Sequence, residues 1–136
     1  MKKLSLLLML CSLAALLVGC KGGEQSAQSV AVTYLNLMKA EKYDEAAKMW
    51  DYVTQARKDN EDWNSIQEGQ RKLIVDKLAA EKAQSLKLWN GYFPGATKVV
   101  AVNETTDSAE AQLEGGRVGR LELTKVEDQW KISGME

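Results

Sequence analysis

At Gly95 the spacing of apolar residues along this 136-residue chain changes. Before it, apolar side chains recur every three or four residues; after it, they alternate with polar ones. The first period marks one face of a helix and the second one face of a strand. A run of helices followed by a run of strands defines an α+β chain, with the helices gathered on the sheet rather than interleaved with it.

Three helices are expected before the switch. The first runs from about Gln28 to Ala40, with Val30, Tyr34, Leu37 and Met38 on one face and Ser26 or Ser29 as its cap. Asp44 is placed to cap a second helix from Glu45 to about Arg57, with Ala46, Ala47, Trp50 and Val53 on its apolar side. The stretch "RKDNEDWN", residues 57–64, reads as a solvated loop. The third helix starts near Asn64 or Ser65, where Ser65 and Glu68 have the spacing of a capping box. Its stripe is Ile66, Leu73, Ile74 and Leu78, and Glu68 is spaced to pair with Lys72 on the outer side. "SLKLWNGYFPG", residues 85–95, is either a last helical turn or an extended piece, broken at Asn90-Gly91 and Pro94-Gly95.

Four strands are expected after it. "TKVVAVNET" is rich in β-branched residues. "SAEAQLE" alternates, with Ala109, Ala111 and Leu113 inward and Glu110, Gln112 and Glu114 outward. Gly115-Gly116 has the makings of a two-residue hairpin. In "RVGRLELT" Val118 and Leu121 are out of phase, and a β-bulge at Gly119 restores the pattern. "QWKIS" follows a turn at Glu127-Asp128, with Trp130 and Ile132 on one face. The expected fold is three N-terminal helices packed on a curved antiparallel sheet of about four strands.

The amino-terminus has a different character. Met1-Lys2-Lys3 precedes an apolar run from Leu4 to Val18, broken only by Ser5, Cys11 and Ser12. This is the layout of a secretory signal, and the run is shorter than the roughly 20 residues that span a bilayer. Leu17-Val18-Gly19-Cys20 resembles the lipobox of bacterial lipoproteins. The resemblance implies that residues 1–19 are cleaved and that Cys20 carries a diacylglyceryl group and an acylated amine. Residues 20–28 then form a tether and 29–136 the domain. A single acyl chain holds a protein on a membrane only marginally; several hold it firmly, at about 0.8 kcal/mol per buried methylene.

Composition excludes several chemistries. The chain has no histidine, so it has no Ser-His-Asp or Cys-His nucleophile. With the signal removed, Cys20 is the remaining cysteine. No disulfide within the domain and no thiolate or imidazole zinc site is therefore expected, nor any cofactor. Lys plus Arg number 18 against 19 Asp plus Glu, and loss of Lys2 and Lys3 with the signal shifts the balance further to acid. No basic stripe with interleaved aromatics is present, so nucleic acid is not an expected partner.

Three phrases carry a wider likeness: "AVTYLNLMKAEKYDEAAKMW", "AEAQLEGGRVGRLELTKVEDQWKI" and the ending "LTKVEDQWKI" within it. Their order resembles the nuclear-transport-factor-two-like, or cystatin-like, superfamily, and in particular small bacterial lipoproteins with a domain of unknown function of that type. The resemblance implies a cone-like fold. It also implies that acid-base residues, in the enzymes of the superfamily, sit between helices and sheet. Asp51, Asp76, Tyr34, Tyr52 and Tyr92 are conceivable members here. Asp51 points off the face shared by Trp50, Ala46 and Val53, and Asp76 lies off the stripe of Leu73, Ile74 and Leu78. Both read as exposed, and the chain is not expected to be an enzyme.

Trp50, Trp130 and Tyr34 read as core. Trp89, Tyr92 and Phe93 have two readings, core or a ligand- or partner-binding surface, since aromatic residues are enriched at binding hot spots. The expected role is a lipid-anchored, non-catalytic interaction module of the bacterial envelope that contacts another envelope protein. The alternatives are a binder of a small apolar ligand in the cone and an isomerase- or dehydratase-like enzyme. Lys21 after the lipid cysteine is compatible with an outer-membrane position facing the periplasm where two membranes are present.

Overall fold

The computed structural model describes residues 25–136. The signal-like segment and Cys20 lie outside the described residues. Four α-helices come first: α1 (Ala27–Lys39), α2 (Tyr43–Ala47), α3 (Val53–Asp59) and α4 (Glu68–Leu88). Short 3-10 turns at Trp63–Ser65 and Asn90–Tyr92 flank α4. Strands β1 (Lys98–Glu104), β2 (Ser108–Glu114), β3 (Arg120–Val126) and β4 (Gln129–Met135) form one antiparallel sheet in the order β1-β2-β3-β4.

Two parts of the expected fold are corrected. Among the described residues the α-helices number four rather than three, and the sheet is an open meander, not a curved cone. Among the described strands each pairs only with its neighbours in sequence, so β1 and β4 are the edge strands and the sheet neither closes nor curls. Dimensions explain why. A helix of 13 residues is about 20 Å long, while four strands at ~4.8 Å spacing are about 15 Å across. α1 touches β1, β2 and β4, so one helix laid across the sheet covers its apolar face without wrapping.

The extra helix has a specific cause. The apolar pattern of residues 45–57 is continuous, yet the backbone leaves the helix after Ala47 to run beside β4. Ile132 N–H donates to the Met49 carbonyl at 2.8 Å, and Asp51 N–H donates to the Ile132 carbonyl at 2.9 Å. These bonds replace helical ones over residues 48–52 and cover part of an edge strand that would otherwise be open.

α4 departs from its expected stripe. Ala83 and Leu86 are buried, whereas Leu73 is 69% exposed. Ile74 and Leu78 are half-buried, and Ile66 precedes the helix. α4 docks chiefly on α2 and only lightly on the seven-residue α3, so its first half has little to lie against. The expected capping box does not form. Ser65 sits in a 3-10 turn, and Gln67 holds the cap position with no side-chain bond. Lys72 pairs with Asp76 one turn later rather than with Glu68. α1 begins at Ala27, itself fully buried, and Ser26 caps it by accepting from Ser29 N–H at 3.1 Å.

The strands follow the alternation. Ala109, Ala111, Leu113, Leu121, Leu123, Trp130 and Ile132 are buried on the inner face. Glu127 and Asp128 both have positive φ, 50° and 63°, the geometry of a tight type I′ hairpin. The β2–β3 connection is longer than a two-residue hairpin and spans residues 115–119. Gly119 and Arg120 N–H both donate to the Glu136 carbonyl, at 2.7 and 2.9 Å. That two-against-one arrangement is the signature of a bulge, and it lets Val118 and Leu121 both be buried.

Candidate functional site

The aromatic segment after α4 is pinned on both sides. α4 runs on through Leu88, Asn90–Tyr92 make a 3-10 turn, and Thr97 N–H closes a turn on the Pro94 carbonyl at 2.9 Å. The structure separates the three residues singled out there. Phe93 is 2% exposed and meets Tyr34 edge-on, with ring centroids 6.3 Å apart, so it belongs to the core. Trp89 and Tyr92 are half-buried with ring centroids 4.8 Å apart and planes tilted by 45°, and the Arg117 guanidinium lies 5.6 Å from the Tyr92 ring. Leu88 beside them is 83% exposed. Trp89, Tyr92 and Leu88 thus present an apolar rim bordered by Lys87 and Arg117.

The residues considered for catalysis are dispersed. Asp51 accepts from Thr54 N–H at 3.0 Å and so caps the start of α3. Asp76 is exposed and paired with Lys72. Tyr52 is buried and donates to the Ala47 carbonyl. Tyr34 is fully buried; its hydroxyl accepts from Trp50 Nε1–H at 3.3 Å and donates to Met135 Sδ at 3.3 Å. The Lys82 ammonium lies 3.8 Å from the Trp50 ring centroid. Burial there lowers its pKa, because the charged form loses hydration. No carboxylate is fully buried among the described residues; Thr97 is the buried polar residue.

Burial pushes the phenols of Tyr34 and Tyr52 well above their ordinary pKa of about 10. The unfolded chain ionises first, so folding stability should hold up to about pH 10 and fall above it. Ultraviolet titration is the check: these two phenolates should appear only together with the loss of near-ultraviolet circular dichroism. A full complement of phenolate in the folded protein near pH 10 contradicts their burial.

A groove opens beside α3 and the first half of α4. It has a volume of about 500 Å³ and lies between α3, the Trp63 turn, the first half of α4 and the β3–β4 turn. Val53, Trp63 and Val75 supply apolar wall, while Arg57, Arg71 and Lys72 supply positive charge. A second hollow of about 400 Å³ lies by Arg120 and Glu136. There Arg120 is answered by Glu110 at 3.3 Å, Glu122 at 3.7 Å and Glu136.

No family model, curated protein or solved structure matches the chain.

The density of aromatic residues singled out Trp89 and Tyr92 of the rim, together with Phe93, which is core. The sequence missed the groove, because Arg57, Trp63 and Arg71 stand in two elements and the turn between them, with nothing in their spacing to join them. It also missed Lys82 and Met135, which reach the Tyr34–Trp50 pair only through tertiary packing.

Proposed function

We propose that the chain is a lipid-anchored envelope lipoprotein whose α+β domain acts as a non-catalytic interaction module. Leu17-Val18-Gly19-Cys20 after an apolar run, with its likeness to the lipobox of bacterial lipoproteins, carries this reading. The side chains considered for acid-base work support it by their occupations: Asp51 caps a helix and Asp76 pairs at the surface. The layer between α1 and the sheet is filled by Tyr34, Met38, Leu121, Leu123 and Ile132, each at most 2% exposed, which counts against a small apolar ligand held there.

The anchor is tested by replacing Cys20 with serine. The wild-type chain should sediment with membranes and incorporate an alkyne-tagged fatty acid; Cys20→Ser should lose the label and leave the membrane fraction. Equal labelling of both would overturn the assignment.

The contact surface of this module is the rim of Leu88, Trp89 and Tyr92. Photo-cross-linking in intact envelopes, from a reactive side chain at Leu88, should give a discrete adduct with one envelope protein. The double substitution of Trp89 and Tyr92 to alanine should reduce that adduct about tenfold or more, the size expected when aromatic anchors are removed. An unchanged adduct would place the contact elsewhere.

A further inference from the structure

We infer that the groove between α3 and α4 binds a small organic anion, a carboxylate or phosphate group carried on an apolar body. The key residue is Arg71. Its Nε is buried and has no hydrogen-bond partner. Buried polar atoms are nearly always paired in folded proteins, so an orphan one calls for an explanation. Arg120 also has a buried, unpartnered Nε, but three carboxylates surround its guanidinium. Arg71 has no such answer: among the described residues neither it nor Arg57 makes an ion pair or a side-chain hydrogen bond.

Two arginines without an ion pair among the described residues therefore line one cavity, and Lys72, itself paired with Asp76, lies at its side. Guanidinium presents a planar fork of donors that matches the oxygens of a carboxylate or a phosphate. Val53, Trp63 and Val75 add an apolar wall, and the groove's volume of about 500 Å³ falls within the range of small-molecule sites. The wall is what distinguishes an organic anion from bare phosphate, since the apolar part of the ligand is removed from water against it. Glu68 and Glu127 also line the groove. Neither pairs with either arginine among the described residues, and both repel an incoming anion. The inference is independent of the lipid anchor.

The test is calorimetric titration of the full-length protein in nanodiscs of phosphatidylcholine, with empty discs as reference. The probes are phenyl phosphate, benzoate, inorganic phosphate and, as a neutral analogue, benzyl alcohol. Phenyl phosphate or benzoate should bind saturably, one per chain, below about 10 mM. Inorganic phosphate and benzyl alcohol should each bind at least tenfold more weakly. Arg71→Gln and the more exposed Arg57→Gln should each weaken binding about tenfold or more. Lys48→Gln removes the same charge from an exposed position outside the groove and should leave binding within about twofold. Glu127→Gln should tighten it. Circular dichroism checks that each variant is folded, and Arg57→Gln keeps the test decisive if Arg71→Gln is not. Repeating the titration in phosphatidylglycerol discs identifies the source. Competition there assigns the anion to a lipid headgroup; retained binding assigns it to a free solute. Absence of saturable binding, or equal affinity in Arg57→Gln and Lys48→Gln, overturns the inference.

Discussion

Replacing Tyr34 with alanine should cost about 4 kcal/mol of folding stability, the usual scale for deleting a buried aromatic side chain. Tyr34 is fully buried on α1 and meets both Trp50 and Phe93 edge-on, each at 6.3 Å between centroids. Through these two neighbours it joins the segment that breaks from α2 to the segment that enters the sheet. Small domains have about 5–15 kcal/mol in total, so the variant should sit near the edge of unfolding at ambient temperature. Tyr34→Phe keeps the ring and removes only the oxygen that accepts from Trp50 Nε1–H and donates to Met135 Sδ. It should cost about 1 kcal/mol. Urea unfolding of both variants measures the difference. A loss below about 1.5 kcal/mol for the alanine variant would mean that the ring is not the keystone its burial indicates.

The second large effect comes from a glycine. Gly115 has φ of +93°, and a Cβ built on it would stand 2.6 Å from the Ala96 carbonyl oxygen. Gly115→Val joins a β-branched side chain to a left-handed backbone and drives it into backbone that has no room to retreat. About 3 kcal/mol of destabilisation is expected. Gly119→Ala in the same loop is the control, because the nearest atom to its Cβ would be the Glu136 carbonyl oxygen at 3.9 Å. That change should stay within about 0.5 kcal/mol. Thermal unfolding of the pair separates the two sites. Equal midpoints would remove the close approach of residues 96–97 to this loop as an explanation for Gly115.

These glycines show how a correct local signal can carry an incomplete reason. Gly115-Gly116 does mark a turn, but a two-residue hairpin is not why glycine stands there. A Cβ on Gly116 would meet the Tyr92 carbonyl oxygen at 2.5 Å and Thr97 Oγ1 at 2.7 Å. The loop is glycine because the chain leaving α4 passes directly against it. Nothing in residues 115–116 announces that neighbour.

The sequence by itself determined the α+β class, the limits of β2, the inward set Ala109, Ala111 and Leu113, the tight turn at Glu127-Asp128 and the bulge by Gly119. The missing histidines leave no Ser-His-Asp or Cys-His nucleophile to assemble from these residues. Each of these depends on residues close together in the chain, on side-chain period, backbone preference or composition. Tertiary structure decided the rest. The helix expected over residues 45–57 breaks because Met49 and Asp51 find backbone partners on Ile132. The apolar stripe of α4 is left open at Leu73 because α3 is too short to cover it, and the sheet stays open because one helix suffices to cover its face. The groove holding Arg57 and Arg71 exists only where α3, α4 and the β3–β4 turn converge. Period tells which residues share a face; what that face meets is set by segments far away in the chain.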